Sequence, residues 1–123
     1  CFNILYISKI KSRDKIKSKP RRKYFVVGSG MYTKHDILST KEIWKDINHT
    51  QYYTYGIRGT GVNDIVICGS YGELLHFNGV SWKSFFGEVS LSEGEYYKIA
   101  SRGNNVVAVG ILQLRAVIVR GYK

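Results

Sequence analysis

The chain has 123 residues, a net charge of +10, 44% apolar residues, 13 Gly, 10 Tyr and a single Pro. That is enough for one small domain, and no run approaches the eighteen apolar residues of a membrane-spanning helix. The balance of Gly, aromatic and β-branched residues excludes a mainly helical protein and points to strands and turns.

The charge is local. Residues 1–23 carry nine Lys or Arg against Asp14 alone, a net +8, while residues 24–123 are close to neutral at +2. The first segment reads as a strand, Phe2 to Ile7, followed by a basic inserted loop reaching Lys23. Cys1 in place of Met raises two expectations: a fragment boundary or the acylated cysteine of a lipoprotein. A strand directly after it, where a polar tether is needed, favours the fragment and disfavours a lipid anchor. Two cysteines make no disulfide framework, and neither has a partner at metal-ligand spacing. Cys68, inside Ile65-Val66-Ile67-Cys68, reads as a small buried hydrophobe.

Three apolar runs end in glycines set at one constant interval: Tyr24-Phe25-Val26-Val27-Gly28, Ile65-Val66-Ile67-Cys68-Gly69 and Val106-Val107-Ala108-Val109-Gly110. Tyr52-Tyr53 with Arg58-Gly59 is echoed by Tyr96-Tyr97 with Arg102-Gly103, and the Trp44 region is echoed at Trp82. A fixed period of this length is the mark of a repeat architecture. The expected organisation is residues 1–23 as first strand plus basic loop, 24–51 as the rest of unit one, 52–95 as unit two, and 96–123 as a third unit lacking its fourth strand. Unit two reads as strands at Tyr52–Arg58, Asp64–Cys68, Glu73–Phe77 and Ser81–Phe86, with a turn at Gly59–Asn63 and a hairpin signal at Asn78-Gly79. The Asp64–Cys68 strand is apolar throughout, as expected of one buried on both faces. One such sheet cannot bury both faces alone, whereas sheets stacked around an axis can.

The run Asn63-Asp64-Ile65-Val66-Ile67-Cys68-Gly69, continued by Gly72-Glu73-Leu74-Leu75-His76-Phe77-Asn78-Gly79-Val80-Ser81-Trp82, resembles the blade signature of bacterial β-propeller repeat proteins. The match is good over 52–86 and partial over 24–47 and 96–123. The resemblance implies an all-β fold of tandem four-stranded antiparallel blades, here a partial β-propeller, with about 41 residues to each blade, a length usual for such repeats. It implies an extracytoplasmic setting and brings no catalytic residues. In that fold the first strand of each unit lies near the axis, and Trp44 and Trp82 fill the wedges between blades.

The chemistry expected is recognition without catalysis, by propeller-face loops offered to a protein or carbohydrate partner. Arg58 and Arg102, at the ends of inner strands, with Tyr53 and Tyr97 as stacking surface, are the candidate binding residues; a salt bridge between blades and ordinary packing are the plainer roles. The first alternative is polyanion binding by Lys15, Lys17, Lys19, Arg21, Arg22 and Lys23, a role for which a solvated loop is the plainer account. No aromatic interleaves these charges, so specific nucleic-acid binding is not expected. The second alternative, a piece of a larger glycan-active enzyme, finds no close carboxylate pair here. His35, His49 and His76 fall in different units at non-ligand spacing with no paired carboxylate beside them, so no metal or cofactor is expected, and His76 is expected to bond the Asn78-Gly79 turn. Asn48-His49-Thr50 fits the glycosylation acceptor pattern weakly. Unpaired blade faces would favour self-association.

Overall fold

A computed structural model describes residues 3–10, 21–36, 38–47, 49–61 and 63–123. Eleven strands and one short helix follow in chain order: β1 (Asn3–Ile10), β2 (Arg21–Val27), β3 (Met31–Lys34), β4 (Lys45–Asp46), β5 (Thr54–Gly61), β6 (Asp64–Gly69), β7 (Leu74–Phe77), β8 (Trp82–Ser84), α1 (Phe86–Val89), β9 (Gly94–Arg102), β10 (Asn105–Leu112) and β11 (Arg115–Tyr122). They form three antiparallel sheets, β1-β2-β3-β4, β5-β6-β7-β8 and β9-β10-β11. The protein is all-β, and within each sheet the strands lie side by side in sequence order.

The sheets pack in series. β5 lies against β1 and β2 on one side, and β9 lies against β5 and β6 on the other. Strand alternation decides which side chains meet. Phe25, Val27 and Met31 of the first sheet close on Ile57, Ile65, Ile67 and Leu75 of the second. The alternate residues of the second sheet, Val66, Cys68 and Leu74, close on Tyr96, Ile99, Val106 and Ala108 of the third. β6 therefore has both faces covered, and Ile65 to Cys68 are at most 1% exposed. Burying each of these side chains is worth about 2–3 kcal/mol, which is why this run is apolar without interruption. Cys68 behaves as a core hydrophobe, its thiol pushed up to about 12 by burial and directed at the Tyr96 carbonyl 3.4 Å away.

Backbone bonds stitch neighbouring sheets: Thr54 N–H donates to Gly28 O and Tyr71 N–H to Gly94 O, both at 2.8 Å. Two carboxylates pin the seams. Buried Glu73 accepts from the backbone N–H groups of Gln51 (2.8 Å) and Tyr52 (3.2 Å), fixing the link from the first sheet to the second. Asp64, at the start of β6, accepts from Lys123 at 2.6 and 2.7 Å, from Thr60, and pairs with His76 at 3.0 Å; Lys123 also donates to Ser101 of β9 at 2.8 Å.

Several expectations need correction. Arg21, Arg22 and Lys23 belong to β2, opposite Ile10, Ser8 and Ile7, and not to a loop. The strand expected at Tyr52–Arg58 begins at Thr54 and runs to Gly61, accommodating Gly59 and Gly61 by a register shift instead of a turn. The fourth strand of the second sheet stops at Ser84, and Phe86–Val89 forms a helical turn whose Val89 packs toward the third sheet. His76 bonds Asp64, across the ladder, in place of the Asn78-Gly79 turn. Trp82 packs on the core between the first two sheets, whereas Trp44 is 37% exposed, with the Lys34 ammonium 5.8 Å from its ring.

Candidate functional site

A groove of about 340 Å³ lies at the outer end of the seam between the first two sheets. Its floor is aromatic. Phe77 of β7 and Trp82 of β8 face one another across the ladder and stack at 4.9 Å with 25° between planes. The Asn78-Gly79 turn holds them there: Asn78 Oδ1 accepts from Val80 N–H and Ser81 N–H at 2.9 Å, and Gly79 adopts φ +97°, a conformation that favours glycine. The His49 ring lies 5.7 Å from Trp82.

The opposite wall comes from the first sheet. Lys23 of β2 and Lys45 of β4 line it, with Thr33, His35 and Asp46. β4 is only two residues long, paired as Tyr32 with Asp46 and Thr33 with Lys45. Its place depends on the preceding loop, where Glu42 accepts from His35 N–H (2.7 Å) and Asp36 N–H (2.8 Å) and touches His35 Nδ1 at 3.1 Å. The His35 amide is the chief reason that the Glu42 carboxyl lies below its usual range. Ile47 N–H then donates to Met31 O at 2.8 Å, closing the loop.

Two properties mark this groove chemically. Burial, with the neighbouring Lys45 charge, lowers the pKa of Lys23, so two cations share a partly dry wall. Thr33, 6% exposed, has a hydroxyl oxygen with no hydrogen-bond partner among the described residues. A buried polar atom left unpaired costs about 1–3 kcal/mol, a cost that a bound polar group would remove. Cations and unmet hydrogen bonding beside a stacked aromatic floor suit a ligand with one apolar face and an anionic substituent.

Of the residues expected to bind, two come together. Tyr53 and Tyr55 lie 5.1 Å apart, and Tyr55 lies 5.1 Å from Tyr97, an aromatic ladder linking the second and third sheets. The Tyr97 hydroxyl is raised above its usual range, first by its hydrogen bond to Glu95. Arg58 and Arg102 are exposed on β5 and β9, but on different rungs: Arg58 faces Val66, three residues before Gly69, and Arg102 faces Asn105, five before Gly110. The Tyr-Tyr…Arg-Gly echo is thus out of step with the ladders, and the two arginines are not equivalent. Arg58 donates to its neighbour, Ile57 O, at 2.8 Å. Of the basic set, Lys23 enters the groove, Arg21 and Arg22 sit on β2, and Lys15, Lys17 and Lys19 lie outside the described residues, as do Cys1 and Asn48.

Sequence reasoning missed Thr33, Lys45 and the floor formed with Phe77. No local pattern marks them, since they come from three separated strands. Trp82 was a usable signal, read there as packing alone. Among the described residues no three His, Cys, Asp or Glu side chains stand together as a metal site. No family model, curated protein or solved structure matches this chain.

Proposed function

We propose that the chain is a non-enzymatic binding module, part of a β-propeller, whose groove between the first two sheets takes an acidic carbohydrate. The propeller reading is supported by three sheets packed in series, with their first strands β1, β5 and β9 in successive contact. The observation that carries the ligand reading is the Phe77–Trp82 stack facing Lys23 and Lys45 across one groove. Sugar rings present C–H faces that lie on aromatic surface, and a carboxylate or sulfate at the ring edge meets the lysines. Asp46, on the same wall, disfavours an anion placed too close to β4 and so narrows the pose.

The test is calorimetric titration with a uronic-acid disaccharide, its neutral counterpart and inorganic phosphate, with Trp82 fluorescence as a second readout. The acidic sugar should bind, phosphate alone should bind more weakly, and Lys45→Gln should weaken the acidic sugar roughly tenfold, the worth of one charge-assisted hydrogen bond. No binding of the acidic sugar, or binding untouched by Lys45→Gln, overturns the reading. A salt dependence steeper than two cations can supply would instead favour the polyanion reading, in which residues 9–23 add their charges to Lys23.

A further inference from the structure

The segment that joins the first two sheets, residues 49–53, runs beside β8 and touches its two ends. At one end the His49 ring lies 5.7 Å from Trp82, on the groove floor. At the other the Tyr52 ring lies 5.7 Å from Phe86, the first residue of α1. Tyr71, from the turn between β6 and β7, adds a third ring 4.8 Å from Tyr52. One segment supplies both His49 and Tyr52, so the two clusters face the same side of the second sheet. Phe85, between Trp82 and Phe86 in the chain, packs toward the third sheet instead. Phe86 follows Trp82 by four residues, which sets these two positions no more than about 13 Å apart along the backbone.

Backbone bonds set the second cluster in place. Glu73 accepts from the N–H groups of Gln51 and Tyr52. Ser70 N–H donates to Tyr53 O at 2.8 Å, tying the β6–β7 turn to the joining segment. Tyr71 is held on both sides, its N–H donating to Gly94 O and its carbonyl accepting from Leu91 N–H. It keeps φ +57°, a conformation that favours glycine, and yet carries a large ring. The rings are open to solvent, Tyr52 at 36% and Tyr71 at 47%. Exposed aromatic rings already fixed in place, with phenol hydroxyls that donate and accept, bind at little cost in ordering.

We infer that Tyr52, Tyr71 and Phe86 form a second sugar subsite, which takes a neutral ring of the same glycan whose acidic ring occupies the groove. This subsite rests on the groove reading and adds to it the length and order of the ligand. The occupant follows from continuity: one segment lines both clusters, at a separation that a single oligosaccharide spans. The neutral ring follows from charge. Lys23 and Lys45 stand at the groove, whereas the second cluster neighbours carboxyls, Glu73 behind the Tyr52 amide and Glu88 in α1 with Phe86.

Calorimetric titration of the full chain tests it with two ligands, the uronic-acid disaccharide and a tetrasaccharide alternating uronic acid with a neutral sugar. The tetrasaccharide should bind roughly five- to tenfold more tightly, the worth of one good aromatic contact. Tyr71→Gly, which suits the backbone there, and Tyr52→Ala should each remove that gain and leave the disaccharide affinity unchanged. Lys45→Gln should weaken both ligands alike. Circular dichroism checks that the variants fold, and Phe86→Ala replaces either one that does not. An all-uronate tetrasaccharide should gain less than the alternating one, and an equal gain overturns the neutral assignment. A disaccharide that binds while the tetrasaccharide binds no tighter, or a gain that survives both variants, overturns the second subsite and leaves the groove standing. So does an equal loss for both ligands in the tyrosine variants, which would make those rings supports of the groove. A disaccharide that does not bind overturns the groove reading, and the second subsite with it.

Discussion

The second and third sheets are built from nearly the same kind of strand and meet different fates. Ile65-Val66-Ile67-Cys68 in β6 and Val106-Val107-Ala108-Val109 in β10 are both unbroken apolar runs, yet all four residues of the first are buried while Val107 and Val109 are not. The difference lies in what stands on either side: among the described residues β6 has a sheet on both faces, and β10 on one. An apolar run thus states a capacity for burial, and neighbours decide how much of it is used. The sharpest way to break this comparison is a pair of truncations. Ile67→Ala empties a site sealed between two sheets and should cost about 3–4 kcal/mol, by lost transfer energy plus the cavity left behind. Val109→Ala should cost about 0.5 kcal/mol at dilution, as for an exposed position. Urea unfolding of both variants checks it, and equal losses would mean that the third sheet's outer face is as well covered as the second's.

The two seams differ as much as the two sheets. Between the first and second, burial raises the Glu73 carboxyl above its usual value. Between the second and third, burial also pulls Asp64 upward, but the hydrogen bonds from Lys123, Thr60 and His76 outweigh it and hold the carboxyl below its usual value. The signs follow by linkage. A carboxyl whose folded value is depressed contributes stability that is whole above its unfolded value and is lost as pH falls through the folded one. A raised carboxyl does the reverse, losing its contribution as pH rises through the folded value. Asp64→Asn should therefore cost about 2 kcal/mol near neutrality, since it strands the nearly buried Lys123 ammonium. The difference from the unaltered chain should shrink as pH falls through the depressed Asp64 value, where the carboxyl takes up its proton. A pH series of thermal unfolding reads this, and a gap that persists into acid would place the cost in packing and not in charge.

What the sequence made legible was local. The long apolar strands, the Asn78-Gly79 hairpin and the glycines ending β6 and the buried part of β10 are readable because each depends on neighbours in the chain. Even there the cause differs from the one that sequence suggests. Gly69 and Gly110 are not needed for turn freedom; a Cβ at either would run into a carbonyl oxygen, that of Tyr53 just before β5 or that of Glu95 in β9. Arg58 and Arg102 illustrate the limit. β5 shifts register twice, between Thr54 and Gly56 and between Gly59 and Gly61, so counting residues from Tyr53 does not count rungs. In the third sheet β9 shifts once, where Tyr97 is passed over between Lys98 and Tyr96, the residues opposite Val109 and Gly110. The groove was not legible at all as a site, because Lys23, Thr33, Lys45 and Trp82 meet only through the packing of two sheets.

The smallest expected effect concerns the turns. The second and third sheets each place a non-glycine residue at positive φ between their second and third strands, Tyr71 at 57° in one and Gln113 with Leu114 at 47° and 65° in the other. Left-handed backbone costs an L-residue about 1 kcal/mol, which glycine avoids. Tyr71 recovers that cost. Its N–H donates to Gly94 O, its carbonyl accepts from Leu91 N–H at 2.7 Å, and its ring lies 4.8 Å from Tyr52. Leu114 recovers nothing, being 99% exposed, and Gln113 makes only a 3.3 Å bond to Glu93 at the surface. Two adjacent residues at positive φ form the tight hairpin turn for which Asn-Gly is the preferred pair. Gln113→Asn combined with Leu114→Gly should therefore stabilise the chain by about 1 kcal/mol, the cost of left-handed backbone that it removes, whereas Tyr71→Gly should give no gain, because the strain it relieves is matched by the ring contact it removes. Denaturant midpoints for the two variants decide the matter: a gain at Tyr71 would show that the ring contact with Tyr52 does not hold that turn.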